Sequence, residues 1–323
     1  MGSAVAGGNM KVAVIGTGAV GSSCTLSLIL RGCARQIVLL DKDQRRAKSI
    51  AADMEHGVPL SRFVEVRAGD YEDLRNASVV IVTAGINEKS GGATDRRDPK
   101  GRLRLLDFNA NTYREIVPKI VNVAPEAVIL VVTDPPDPLA EIAREIAGHD
   151  RVVSSGTFLD SLRFRVHLAK EFAVDGSYVE AIVVGEHGTS QVFLWSSARI
   201  CGVPVFKLLK DRGEDPQLFR TKLENEVKFA NIGIIEGNGA SQFGIGMAVS
   251  RIAEIILRDE QAVIPVGSYN KKYGVTLSLP SVVGCRGVNC VWEPEMSEHE
   301  LCGLKASADF LRNARRRIAS NSM

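Results

Sequence analysis

The chain has 323 residues, 45% hydrophobic and 24% charged, with a net charge of +2. That length suits two domains around a substantial core, and the near-neutral balance excludes nucleic acid, which calls for a basic stripe. The six cysteines form no CxxC pair and no Cys/His zinc set, so no metal is expected and free thiols in a reducing cytoplasm are.

Met1 to Met10 is rich in Gly and Ala, lacks the apolar core of a signal peptide, and reads as a disordered lead-in. From Lys11 onward, short Val/Ile-rich runs alternate with helical patterns. Lys11–Ile15, Gln36–Leu40, Val79–Thr83 and Ala127–Val132 read as strands buried on both faces, and Val64–Val66 adds another. Ser22–Leu30, Gln44–Glu55, Phe108–Val123 and Leu139–Ala147 read as the helices between them. The alternation predicts an α/β fold, a Rossmann-type doubly wound parallel sheet over residues 10–150. Residues 151–323 read as an α+β catalytic domain. Helices are expected at Thr157–Phe172, Pro216–Ile235, Gln242–Leu257 and Ser297–Ile318. Strands are expected at Val179–Val184, Ala262–Tyr269 and Tyr273–Val283. The arginines at 312, 315, 316 and 317 read as a solvated helix face. No apolar run is long enough to cross a bilayer.

Gly16-Thr-Gly18-Ala19-Val20-Gly21 follows the first strand and opens a helix. Glycines there permit a tight turn, a close approach of backbone to pyrophosphate, and close helix–strand packing. The helix N-terminus offers unpaired N–H groups to phosphate oxygens. Asp41 ends the second strand, where a carboxylate accepts ribose hydroxyls and repels a 2′-phosphate. The combination points to NAD rather than NADP. Lys42, Arg45 and Arg46 keep NADP open as a lesser alternative.

Gly185-Glu186-His187-Gly188 closes a strand and puts His187 on a loop, with a side chain suited to proton exchange near neutral pH. Asp160 and Arg163 lie three apart on one predicted helix. Asp160 can orient His187, and Arg163 can grip a carboxylate; the alternative for that pair is a plain helix salt bridge.

Taken together, Gly16–Gly21, Asp41, Thr83-Ala84-Gly85, Arg102-Leu103, Asp160–Arg163 and Glu186-His187-Gly188 resemble the L-lactate/L-malate dehydrogenase family from Lys11 to the C-terminus. The resemblance implies NAD, a small 2-keto/2-hydroxy acid substrate and a homo-oligomer, dimer or tetramer. It makes His187 the proton-transferring group and Asp160 the carboxylate behind it. Arg163 becomes the substrate-carboxylate arginine and Arg102 the mobile-loop arginine that polarises the carbonyl. Ile245 would pack on the nicotinamide, or be plain core.

Three departures bear on the substrate. The segment Glu88–Gly101 is longer than the family's usual loop, so no specificity residue can be assigned, although Arg96, Arg97 and Lys100 are candidates to meet a second carboxylate. Its glycines Gly91, Gly92 and Gly101 suit a flexible lid. Asp134 stands where the family has an Asn, and an ionised carboxylate offers no donor. Ser241 takes the place of an active-site Thr. The expected function is NAD-dependent oxidation of an L-2-hydroxy acid, with lactate/pyruvate favoured over malate/oxaloacetate. Two readings from other classes remain: an NAD(H)-binding regulatory protein without turnover, and an NAD-using glycosidase.

Overall fold

The computed structural model of the chain describes residues 10–86, 90–91 and 101–320, except the side chains of 101–103 and 319–320. The first part runs β1 (Lys11–Ile15), α1 (Ala19–Arg31), β2 (Gln36–Leu40), α2 (Gln44–Gly57), β3 (Glu65–Ala68), β4 (Val79–Val82), α3 (Gly101–Val123), β5 (Val128–Val131), α4 (Pro136–Ala147) and β6 (Val152–Ser154). There follow α5 (Phe158–Phe172) and five two-residue strands: β7 (Val179–Glu180), β8 (Val183–Val184), β9 (Val192–Phe193), β10 (Arg199–Ile200) and β11 (Val203–Pro204). Four helices come next, α6 (Val205–Asp211), α7 (Pro216–Lys228), α8 (Ala230–Asn238) and α9 (Phe243–Leu257). The chain then passes through β12 (Ala262–Asn270), β13 (Val275–Gly284), β14 (Gly287–Val291) and α10 (Glu298–Ser320).

Strands β1 to β6 lie parallel in the order β3-β2-β1-β4-β5-β6. Helices cover both faces, which is why the strands read as unbroken apolar runs. Successive side chains of one strand feed opposite cores. Val12 and Val14 pack with Leu28 of α1 and Ile252 of α9, whereas Ala13 and Ile15 pack with Tyr113 of α3 and Leu139 of α4. The sheet runs past Asp150 to Ser154 and onward, because β12 joins β6 antiparallel at Gly267–Ser154. A Cβ at Gly267 would stand 2.1 Å from Ser154 Oγ, so glycine is what lets this seam close. A third core, around Phe164, Phe193 and Trp195, fills the catalytic part.

Some boundaries differ from those the sequence suggests. Helix α3 starts at Gly101 rather than Phe108, so Arg102 belongs to the first helical turn and not to a preceding loop. Pro216–Ile235 is two helices, not one: Phe229 leaves the helical region at φ −108° and ψ 11°, while the apolar periodicity continues across the break and hides it. Val179–Val184 is likewise two strands, because its ends pair with different partners, β10 and β9. Among the described residues no single helix is long and apolar enough to cross a membrane.

Candidate active site

The glycine turn is built from backbone. Gly16 adopts φ +97°, and a Cβ there would come within 2.7 Å of the Ala84 nitrogen. At Gly21 a Cβ would stand 1.9 Å from Gly16 O, whereas Gly18 has nothing within 4 Å and leaves its flank open to a ligand. Gly18 caps α1 with no side-chain bond, and Ala19 and Val20 are the first helical residues, so their N–H groups face outward as a phosphate cradle requires. Thr83 Oγ1 donates to Gly16 O at 2.7 Å, and Thr133 Oγ1 donates to Ala84 O at 2.9 Å. These bonds tie the ends of β4 and β5 to the turn. Gly85 lines the cleft beside them.

Asp41 sits beyond β2 and accepts the Thr17 N–H at 2.7 Å, the Thr17 hydroxyl at 2.9 Å and the Asp43 N–H at 3.0 Å. Burial opposes its charge, but these donors and nearby Arg46 outweigh burial and hold the carboxyl below its usual range. Arg46 is itself anchored, its Nε donating to Thr17 O at 3.1 Å. An ionised acceptor at the end of β2 and a bare helix N-terminus fit a dinucleotide with free ribose hydroxyls.

The adjoining end of the same cleft brings together residues far apart in sequence. Asp134, Arg163, His187, Ser241 and Ile245 all line it. His187 Nδ1 lies 2.5 Å from Asp160 Oδ2, and Arg163 Nη1 donates to Asp160 Oδ1 at 3.0 Å. Asp160 is 2% exposed, so its charge acts through little solvent. The i,i+3 pair expected on α5 is therefore present and also carries the histidine. His167, one turn further along α5, pairs with Glu226 at 3.1 Å in a separate crevice.

The loop under His187 is pinned residue by residue. Gly185, at φ +87°, exchanges two backbone bonds with Ser278. The Glu186 N–H donates to Ser307 Oγ at 2.8 Å. The His187 N–H donates to Asp137 Oδ2 at 2.7 Å, and Ser154 Oγ donates to Asp137 Oδ1 at 2.5 Å. Asp137 is fully buried, and burial pushes its carboxyl up to about 6 against the pull of those donors. Sequence reasoning assigned no role to Asp137, Ser154 or Ser307. The only signal for Asp137 is its place three residues after Asp134, in the first turn of α4.

The Asp134 carbonyl accepts Asn109 Nδ2 at 2.8 Å, and Asn109 Oδ1 accepts the Ile86 N–H at 2.8 Å. Asn109, 0% exposed, thus clips the segment leaving β4 to the segment leaving β5. The Arg102 side chain, and Arg96, Arg97 and Lys100, lie outside the described residues. Among the described residues no group of three or more His, Cys, Asp or Glu side chains could hold a metal ion.

Comparison with known proteins covers the whole of this architecture. Residues 10–154 match the lactate/malate dehydrogenase NAD-binding domain, and residues 157–321 match the α/β C-terminal domain of the same family. An L-lactate dehydrogenase of Deinococcus radiodurans is 41% identical over 310 residues, spanning 96% of this chain and 99% of that protein. One from Thermus aquaticus is 41% identical over 313 residues, spanning 94% and 98%. Among solved structures, a lactate dehydrogenase from a deep-sea metagenome library superposes with a TM-score of 0.89 at 32% identity, covering 96% of this chain and 99% of that one. The minor L-lactate dehydrogenase of Enterococcus mundtii gives 0.88 at 33% identity, covering 95% and 98%.

Proposed function

The chain belongs to the lactate/malate dehydrogenase family of NAD-dependent hydroxyacid dehydrogenases, and from that membership we propose that it interconverts L-lactate and pyruvate. The observation that carries the reading is Asp160 holding His187 and Arg163 at once, in the cleft that also receives the glycine turn. NAD(H), held by Gly16, Gly18, Ala19, Val20, Gly21 and Asp41, with Thr83, Ala84, Gly85 and Ile245 beside it, supplies the hydride acceptor or donor.

The protein groups account for the rest. Arg163 takes the substrate carboxylate with its two-pronged guanidinium. Because Nδ1 of His187 is committed to Asp160, proton exchange with the substrate hydroxyl falls to Nε2. Asp160 stabilises the imidazolium formed when the hydroxyl loses its proton, and fixes the ring's tautomer. Arg102 polarises the carbonyl, an assignment resting on the family resemblance. Asp134 and Ser241 line the same cleft, and we assign both to the substrate's surroundings. We further propose a cytoplasmic homo-oligomer, dimer or tetramer. All six cysteines are free thiols. Leu26 and Leu30 of α1 and Phe243 and Met247 of α9 are 49–74% exposed on two helices that pack together, which suits burial against a second copy.

The test is NADH oxidation with pyruvate and oxaloacetate in parallel. Faster turnover of pyruvate is expected. A clear preference for oxaloacetate would replace lactate by malate, and NADH binding without turnover of any 2-keto acid would leave only a nucleotide-binding role.

A further inference from the structure

Asp137 is a fully buried carboxyl beside the catalytic loop that the mechanism above leaves unused. Its Oδ2 accepts the main-chain N–H of His187 at 2.7 Å, and its Oδ1 accepts the Ser154 hydroxyl at 2.5 Å. Only that N–H and the residue's own Cα–Cβ link separate the carboxyl from the imidazole. The fold leaves room for it: a Cβ on Gly267 would come within 2.5 Å of Oδ1, and β12 passes there with a bare α-carbon. A clip on the loop does not require a charge. A carboxamide would accept the same N–H without the cost of taking a carboxylate out of water. Burial raises the Asp137 carboxyl to about 6, which still leaves it ionised at neutral pH.

The ionisable groups around His187 come from three places. Asp160 bonds its ring from α5, and Arg163 of the same helix shares that carboxylate. Glu186, on the loop itself, turns back over Gly188 to accept the Ser190 N–H at 3.0 Å and its hydroxyl at 2.5 Å. Asp137 comes from α4. Asp134, which precedes α4, lines the same cleft. Asp160 thus divides its charge between a guanidinium and the imidazole, whereas Asp137 is bonded to neutral donors. The charged groups that act on Asp137 are His187, which favours its ionised form, and Glu186, which opposes it. That interaction is reciprocal: an imidazolium that favours the carboxylate is itself favoured by it. With both groups largely out of water, the attraction is stronger than the same pair would feel at the surface.

We propose that Asp137 is a positioning residue whose charge, besides holding the loop, stabilises the imidazolium of His187 and keeps the proton donor loaded to higher pH than Asp160 alone would. The proposal rests on the hydroxyacid dehydrogenase reading. In keto-acid reduction His187 must enter the step protonated; in hydroxy-acid oxidation it must enter neutral. Asp137 therefore sets where on the pH scale each direction runs, without touching substrate or cofactor.

The experiment is the pH profile of kcat/KM for pyruvate with NADH saturating, which reports the ionisations of the NADH-loaded enzyme. In Asp137→Asn the alkaline limb should move to lower pH by about 0.5–1 unit, below the range for an opposite charge in direct contact. The acid limb of lactate oxidation should move the same way. Asp137→Ser, smaller and also uncharged, should repeat the shift. Ser154→Ala removes a bond to Asp137 but keeps the charge, and its limb should stay with that of wild type. NADH fluorescence verifies that each variant is folded. A plateau lowered at every pH with both limbs unmoved would make Asp137 a structural clip and overturn the proposal. So would a limb in Ser154→Ala that moves as far as in Asp137→Asn. Wild type that binds NADH but reduces no 2-keto acid overturns the dehydrogenase reading itself, and the proposal with it; an active wild type whose limb the variants leave in place overturns the proposal alone.

Discussion

The nucleotide turn and the catalytic loop both hold an irregular segment still, by opposite means. At the turn the backbone does it: Gly16 to Gly21 pack so closely that there is no room for a Cβ at either end. At the loop side chains do it: Asp137 from α4, Asp160 from α5 and Ser307 from α10 each grip a different atom of Glu186 or His187. The first device should fail when atoms are added, the second when polar atoms are removed.

The largest effect is expected at the histidine. His187→Asn should lower kcat by about 10³-fold or more, the range for loss of a general acid–base, with the NADH dissociation constant unchanged. Steady-state kinetics beside fluorescence titration of NADH checks this. Substantial activity in the variant would hand the proton to another group. Arg163→Lys comes next: charge is kept but the two-pronged contact is lost, and kcat/KM should fall ~10–100-fold, mostly through KM. An unchanged KM would remove Arg163 from the substrate site. Gly16→Ala tests the other half of the comparison. It forces a Cβ onto the Ala84 backbone at a φ of +97°, and NADH affinity should fall about tenfold while KM for the keto acid changes less. A variant with normal NADH binding would show that the turn is less tightly held than its contacts indicate.

The same contrast explains what could be read from the sequence. The glycine turn, Asp41 and the parallel strands are local: a few adjacent residues set the backbone, and burial on both faces writes an unbroken Val/Ile run into β1, β2, β4 and β5. His187, Asp160 and Arg163 are legible because each sits in a short motif. The supports of the catalytic loop carry no such mark. Ser154 and Ser307 look like ordinary hydroxyl residues until β6 and α10 are brought under Glu186 and His187. In Thr133–Asp137 attention falls on Asp134, yet Asp137 is the carboxyl that bonds the histidine's backbone, since α4 begins at Pro136 and turns it inward.

The smallest predicted effect compares one carboxyl from each region. Burial raises the Asp137 carboxyl from 3.8 to about 6 in the folded protein, so folding favours its protonated form. Its contribution to stability is complete below pH 3.8 and is lost as pH rises through about 6. Asn at 137 keeps an acceptor for His187 N–H and a partner for Ser154 but does not titrate. The Tm of wild type relative to Asp137→Asn should therefore fall by several degrees between pH ~4 and ~7. Asp41 tilts the other way. Its carboxyl is lowered from 3.8 by Thr17 and Asp43 in spite of burial, so its contribution is present above that value and is lost as pH falls below it. Relative to Asp41→Asn, wild type should lose stability only on the acid side, and by less, because Asp41 is partly exposed. Melting curves of the three proteins from pH ~3 to ~8 should give two slopes of opposite sign. Parallel slopes would mean that the two carboxyls sit in similar surroundings, and that the loop is not held over a buried acid as the turn is held over a partly exposed one.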